Sequence, residues 1–137
     1  MTTIAPLLLI TADPSHPLAH LALRYTRAYL QSVTHAGDIN STPLNVFFYG
    51  DGAHIANRLR WQSADQMNVT KEWQNLAEQY KLALPVCVST ALSRGVSDAD
   101  NSTRHQLDGS NLATGFTLVG LSELAMMMLD DCRLILF

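Results

Sequence analysis

The order of its apolar segments constrains this chain more than any other feature: short apolar runs alternate with stretches of helical spacing. Ile4 to Ile10 is continuously apolar, as expected of a strand buried on both faces. Leu44 to Tyr49 is a second such run, rich in β-formers, and Leu84 to Val88, Phe116 to Val119 and Cys132 to Phe137 follow. Between the first two, Leu18, Leu21, Ala22, Tyr25, Ala28, Tyr29 and Val33 recur at helical spacing until Gly37 stops the pattern. Ser15 is the expected N-cap of that helix, with Pro17 in its first turn. Gly50-Asp51-Gly52 reads as a tight turn before a short helix through Ile55, Ala56 and Leu59. Val69, Trp73, Leu76, Ala77 and Tyr80 mark another helix, and Leu121, Leu124, Ala125 and Met128 a last one. This alternation predicts a parallel sheet with helices on both faces.

A chain of 137 residues is one domain with a single well-filled core, here spanning 1–137. With 47% hydrophobic and 15% charged residues, its composition is that of an ordered globular protein. A formal net charge of −3 argues against a surface built to grip a nucleic-acid backbone, which needs clustered Lys and Arg. Two cysteines do not make a disulfide framework. The start, Met1-Thr2-Thr3-Ile4, lacks a basic region, Leu7 to Ile10 is too short for a signal core, and no apolar run reaches the length of a membrane span. The expected location is the cytoplasm, where both thiols stay reduced.

Cys87 is the residue with the clearest chemical potential. It stands at the end of the Leu84-Pro85-Val86-Cys87-Val88 run, and the carboxyl ends of parallel strands are where open α/β sheets bind and react. Packing is the competing role, because unpaired cysteine is among the most buried residue types. Ser89 or Thr90 is placed to cap a short following helix, whose free N–H groups would favour a thiolate, and Arg94 one turn on is placed to add a cation. The Ser89 to Asn111 segment is expected to be a long polar loop of functional rather than incidental length.

Other motifs are weaker. Gly50 and Gly52 follow a strand, but Asn57 and Arg58 stand where a phosphate loop needs glycine or lysine. His16 and His20 lie four apart on the expected first helix, yet no nearby carboxylate or cysteine completes a metal site. His35 falls in the last turn of that helix, where a cation suits the dipole. The remaining histidines are His54 and His105, and Ser-His-Asp hydrolysis is no better supported, since no G-x-S-x-G elbow is present. Trp73 and Tyr80 are expected in the core or an interface. Met126, Met127 and Met128 cannot all face one core, so at least one meets a partner or solvent. Cys132, beside the charge of Asp131, reads as structural.

Leu84 to Val96, the block around Cys87, resembles the cysteine segment of the DsrE family. The resemblance continues at Val46-Phe47-Phe48-Tyr49, Gly52, Ala56-Asn57, Trp73 and Leu76. It returns at Ser110-Asn111-Leu112, Gly115-Phe116-Thr117-Leu118, Gly120-Leu121 and the closing Asp131-Cys132-Arg133 to Phe137. It implies a three-layer α/β/α domain with a five-stranded parallel sheet and Cys87 at the carboxyl edge of the third strand. It also implies a sulfurtransferase in which Cys87 carries sulfane sulfur as a persulfide, with neither metal nor organic cofactor; the supporting role of Arg94 rests on its position alone. The partners implied are paralogous subunits, TusB and TusC, in a heterohexamer, with TusA as sulfur donor and TusE as acceptor, leading towards 2-thiolation of the tRNA wobble uridine. Direct contact with nucleic acid or membrane is not expected. A non-catalytic assembly subunit of the same fold, or a DsrE-type subunit of dissimilatory sulfur oxidation, are the alternatives. The chain departs from the family pattern in a longer Asp38 to Pro43 loop and a different turn at Thr11 to Pro17.

Overall fold

The computed structural model describes residues 4–35, 44–129 and 131–137. The sequence features at Gly37 and Asp38 to Pro43 lie outside these residues, as does the side chain of His35. Five strands, β1 (Pro6–Ile10), β2 (Asn45–Phe48), β3 (Leu84–Cys87), β4 (Phe116–Val119) and β5 (Arg133–Leu136), form one sheet in the order β4-β3-β2-β1-β5. Every pairing is parallel, as the alternation predicts. The helices are α1 (Pro17–His35), α2 (Val69–Tyr80), α3 (Val88–Ser93), α4 (Ala99–His105) and α5 (Leu121–Leu129), with a 3₁₀ segment at Gly50–Ala56. No helix of the described residues is long and apolar enough to cross a membrane.

Strand alternation divides the core into two parts. Leu8, Ile10, Val46, Phe48, Leu84 and Val86 point to one face, where Leu23 and Leu30 of α1 and Trp73 and Leu76 of α2 close over them. Trp73 is fully buried and meets Phe48 edge-on, with ring centroids 5.3 Å apart at 89°. Leu7, Phe47 and Cys87 point to the other face, together with Leu9, Tyr49 and Val119. Only Leu124 and Met127 of α5 pack there, and no residue of α5 is fully buried. The layers are therefore unequal: one face is thickly covered and the other thinly.

Several local expectations need correcting. The first helix starts at Pro17, and His16 rather than Ser15 takes the position before it. Nδ1 of His16 accepts the Leu18 N–H at 3.1 Å, while Ser15 turns back to Asp13. His16 and His20 thus do not share a helix, and no metal-binding cluster of His, Cys, Asp or Glu occurs among the described residues. The glycines at 50 and 52 belong to the 3₁₀ segment itself, which ends at Ala56 and leaves Leu59 exposed. Ser89 to Asn111 is not a plain loop, because most of α3 and all of α4 fall in it. Asp98 caps α4 by accepting the Asn101 N–H at 2.8 Å.

Candidate functional site

The site is built where two neighbouring strands part company. β3 runs into α3, whose Ala91 packs into the thickly covered face, whereas β4 runs into α5 on the opposite face. Adjacent strands whose exits diverge leave a crevice at their carboxyl ends, the recurrent binding position of open α/β sheets. Cys87, paired in register with Val119, stands at that point.

Cys87 is both the last residue of β3 and the N-cap of α3, with extended backbone (φ −60°, ψ 120°). Ser89 and Thr90 are therefore not caps but members of the first helical turn. Their contribution is nonetheless direct. The Ser89 hydroxyl lies 3.4 Å from the Cys87 sulfur. Thr90 accepts the Gly50 N–H at 3.2 Å and directs its own hydroxyl to the Cys87 carbonyl at 3.3 Å, which locks the strand end to the 3₁₀ segment. Burial raises the Cys87 pKa, but hydrogen bonding from the Ser89 side chain and from the Thr90 amide and hydroxyl outweighs it. The thiol ends below its ordinary value. No helix N–H caps the neutral sulfur within strict hydrogen-bond geometry, but the Ser89 and Thr90 amides face it and favour the thiolate.

Arg94 lies at the far end of α3. Its Nε donates to Asp51 at 3.0 Å and its guanidinium also reaches the Thr90 carbonyl at 3.1 Å. The charge thus ties α3 to the 3₁₀ segment, and Arg94 is not among the groups that shift Cys87. Asn111 completes the frame by donating to Asn57 and the Gly95 carbonyl and accepting the Ser97 N–H. Below it, the buried hydroxyls of Ser97 and Ser102 bond each other at 2.7 Å, and Ser102 also donates to the Gly109 carbonyl. The polar 95–111 stretch is consequently a fixed buttress behind α3. A groove of about 480 Å³ between Leu59, Leu92, Gly95 and Leu107 runs along this buttress, and Cys87 does not line it.

Gly52 is a residue whose role the sequence reading missed. A Cβ there would sit 2.1 Å from the Ile10 carbonyl oxygen, so only glycine lets the 3₁₀ segment close over the end of β1. Its place within Gly-Asp-Gly just after a strand was the available signal. Cys132, the other free cysteine, is half-buried and precedes the amino end of β5. It lies three strands from β3, about 14 Å at ordinary strand spacing, and at the opposite end of the sheet. A direct bond between the two thiols is excluded by that separation.

Comparisons with known proteins bear on the family and the fold. The DsrE/DsrF-like family matches residues 7–137. Sulfurtransferase TusD of Sodalis glossinidius (strain morsitans) is 40% identical over 119 residues, which cover 87% of this chain and 86% of that protein. Sulfurtransferase TusD of Pectobacterium carotovorum is 44% identical over 93 residues, covering 68% and 72% respectively. Among solved structures, the ychN protein from E. coli superposes with a TM-score of 0.64 at 14% identity, over 98% of this chain and all of that one, a likeness of fold.

Proposed function

The chain belongs to the DsrE/DsrF-like family, and from that membership we propose that it is a sulfur-relay sulfurtransferase whose carrier is Cys87. The observation that carries the assignment to this residue is its place at the strand divergence with a thiol pKa set below the ordinary value. In loading, the Cys87 thiolate attacks the terminal sulfur of a donor persulfide. A bond forms from Sγ to that sulfur, the donor's S–S bond breaks, and the electron pair leaves on the donor thiolate. In discharge, an acceptor thiolate attacks the same sulfur and Cys87 leaves as thiolate. One sulfane sulfur moves, with no net oxidation and no call on metal or organic cofactor.

Arg94 is the proposed supporting residue, acting through Asp51 to hold α3 and its first turn in place. The partners we propose are proteins: TusB and TusC in a heterohexamer, TusA as donor and TusE as acceptor. The pathway proposed is 2-thiolation of the tRNA wobble uridine in the cytoplasm, with the chain 1–137 acting as one domain. The exposed apolar residues of α5 and β5 support protein partners, and the acidic balance supports delivery without direct contact with RNA.

One observation favours a second reading. Cys87 is only 1% exposed, which would suit an assembly subunit whose thiol is packing. The test is incubation with an isotopically labelled persulfide donor followed by mass spectrometry of the Cys87 peptide. One added sulfur supports the carrier; an unmodified peptide, with the donor consumed by another subunit, supports assembly.

A further inference from the structure

We propose that Ser89 is the hydrogen-bond donor to the Cys87 sulfur and that its main effect is on discharge, when that sulfur becomes the leaving group. The inference rests on the carrier reading above and adds a second residue to it. Three observations support it. The Ser89 oxygen lies 3.4 Å from the Cys87 sulfur, and the Ser89 hydroxyl has no other hydrogen-bond partner among the described residues. Of the neighbouring polar groups, Thr90 shares its hydroxyl among the Gly50 N–H, the Cys87 carbonyl and the sulfur, and Arg94 pairs with Asp51, which leaves Ser89 as the side chain committed to the sulfur alone. Ser89 is also exposed while Cys87 is buried, so its hydroxyl links the buried sulfur to the surface.

The direction of donation follows from charge. A thiol and a hydroxyl can each donate, but a thiolate can only accept, so ionised Cys87 takes its bond from Ser89. During loading, Sγ gives up negative charge as its bond to the incoming sulfur forms, and the donated hydrogen bond weakens. During discharge the acceptor thiolate bonds the outer sulfur, the Sγ–S bond breaks, and the electron pair returns to Sγ. The Ser89 bond strengthens as that charge appears; no proton changes hands. A leaving thiol of lower pKa departs faster, whereas an attacking thiolate of lower pKa is less nucleophilic. Ser89 therefore has opposed effects on loading and a single, favourable effect on discharge.

The experiment compares native protein with Ser89→Ala and Ser89→Thr. Three quantities are read against pH: alkylation of Cys87 by iodoacetamide, loading from glutathione persulfide, and single-turnover discharge of the loaded protein to free glutathione thiolate. Ser89→Ala should raise the alkylation midpoint and slow discharge by roughly threefold to tenfold at every pH, as expected for losing one hydrogen bond to an ionised group near the surface. Its loading should be slower at neutral pH yet equal or faster above both midpoints, where the more basic thiolate is fully formed. Ser89→Thr, which keeps the hydroxyl, should restore both. Uniform slowing of loading and discharge at all pH values, or an unmoved midpoint with normal discharge, overturns the inference. If native Cys87 accepts no sulfur, the carrier reading fails. In that case the alkylation midpoints still decide whether Ser89 donates to the sulfur.

Discussion

Cys87 combines two properties that pull against each other: it is buried, which disfavours a charge, and it is surrounded by donors that favour one. The donors win, so its ionisation is coupled to folding. A group that ionises more readily in the folded state stabilises that state above its folded pKa, increasingly up to its unfolded pKa, and the benefit is lost as pH falls through the folded value. The stability of the native protein relative to Cys87→Ser should accordingly rise with pH as the range below the ordinary thiol pKa is crossed. Urea titrations at a series of pH values read this directly, and a difference flat in pH would count against a depressed thiol pKa. Cys132→Ser should leave sulfur transfer within about twofold of normal, because its position at the opposite sheet end keeps it from the reacting sulfur. Gly52→Ala should be far costlier than its single methyl suggests. Its Cβ meets a backbone oxygen, so the 3₁₀ segment must shift, and with it the Gly50–Thr90 contact that fixes the start of α3. A marked fall in thermal midpoint is the expected readout.

Among the elements, β1 to β5 and α2 were legible because each is defined by apolar periodicity, and burial enforces that pattern. Trp73 shows how strongly. It is fully enclosed against Phe48 and the sheet, and Trp73→Ala should cost about 3–5 kcal/mol in urea unfolding. A loss below about 1 kcal/mol would mean that the α2 face is not packed as described. α4 escaped the sequence reading, and α3 was expected only as a short helix with its start misplaced, for the complementary reason. Six or seven residues hold under two helical turns, too few for a repeat, and both are held by polar contacts. The Asp98 cap and the Ser97–Ser102 pair were visible only as hydrophilic residues, although Asp98 at the head of Ala99 to His105 was a usable capping signal. Cys87 itself was found by its position at a strand end. The Ser89 and Thr90 contacts depended on where α3 begins, which residue type alone did not set.

For the whole molecule, the uneven cover of the two sheet faces is the main consequence. Met127 packs inward while Met126, Met128 and Leu129 stay exposed, and Leu134 and Leu136 of the edge strand β5 are also exposed. Monomeric proteins rarely leave so many large apolar side chains on one side. The expected outcome is a stable complex when the chain is co-expressed with its two proposed paralogues, read by light scattering. Replacing Met126 and Leu129 together by Glu should weaken that complex without unfolding the chain, because neither residue is buried. The central claim, that Cys87 carries the transferred sulfur, is tested most directly by following a labelled sulfane sulfur through this chain to an acceptor protein by mass spectrometry. The label should appear on the native Cys87 peptide and then leave it, while Cys87→Ser, folded as before, neither takes nor passes it. Relay at the normal rate through Cys87→Ser would contradict the account.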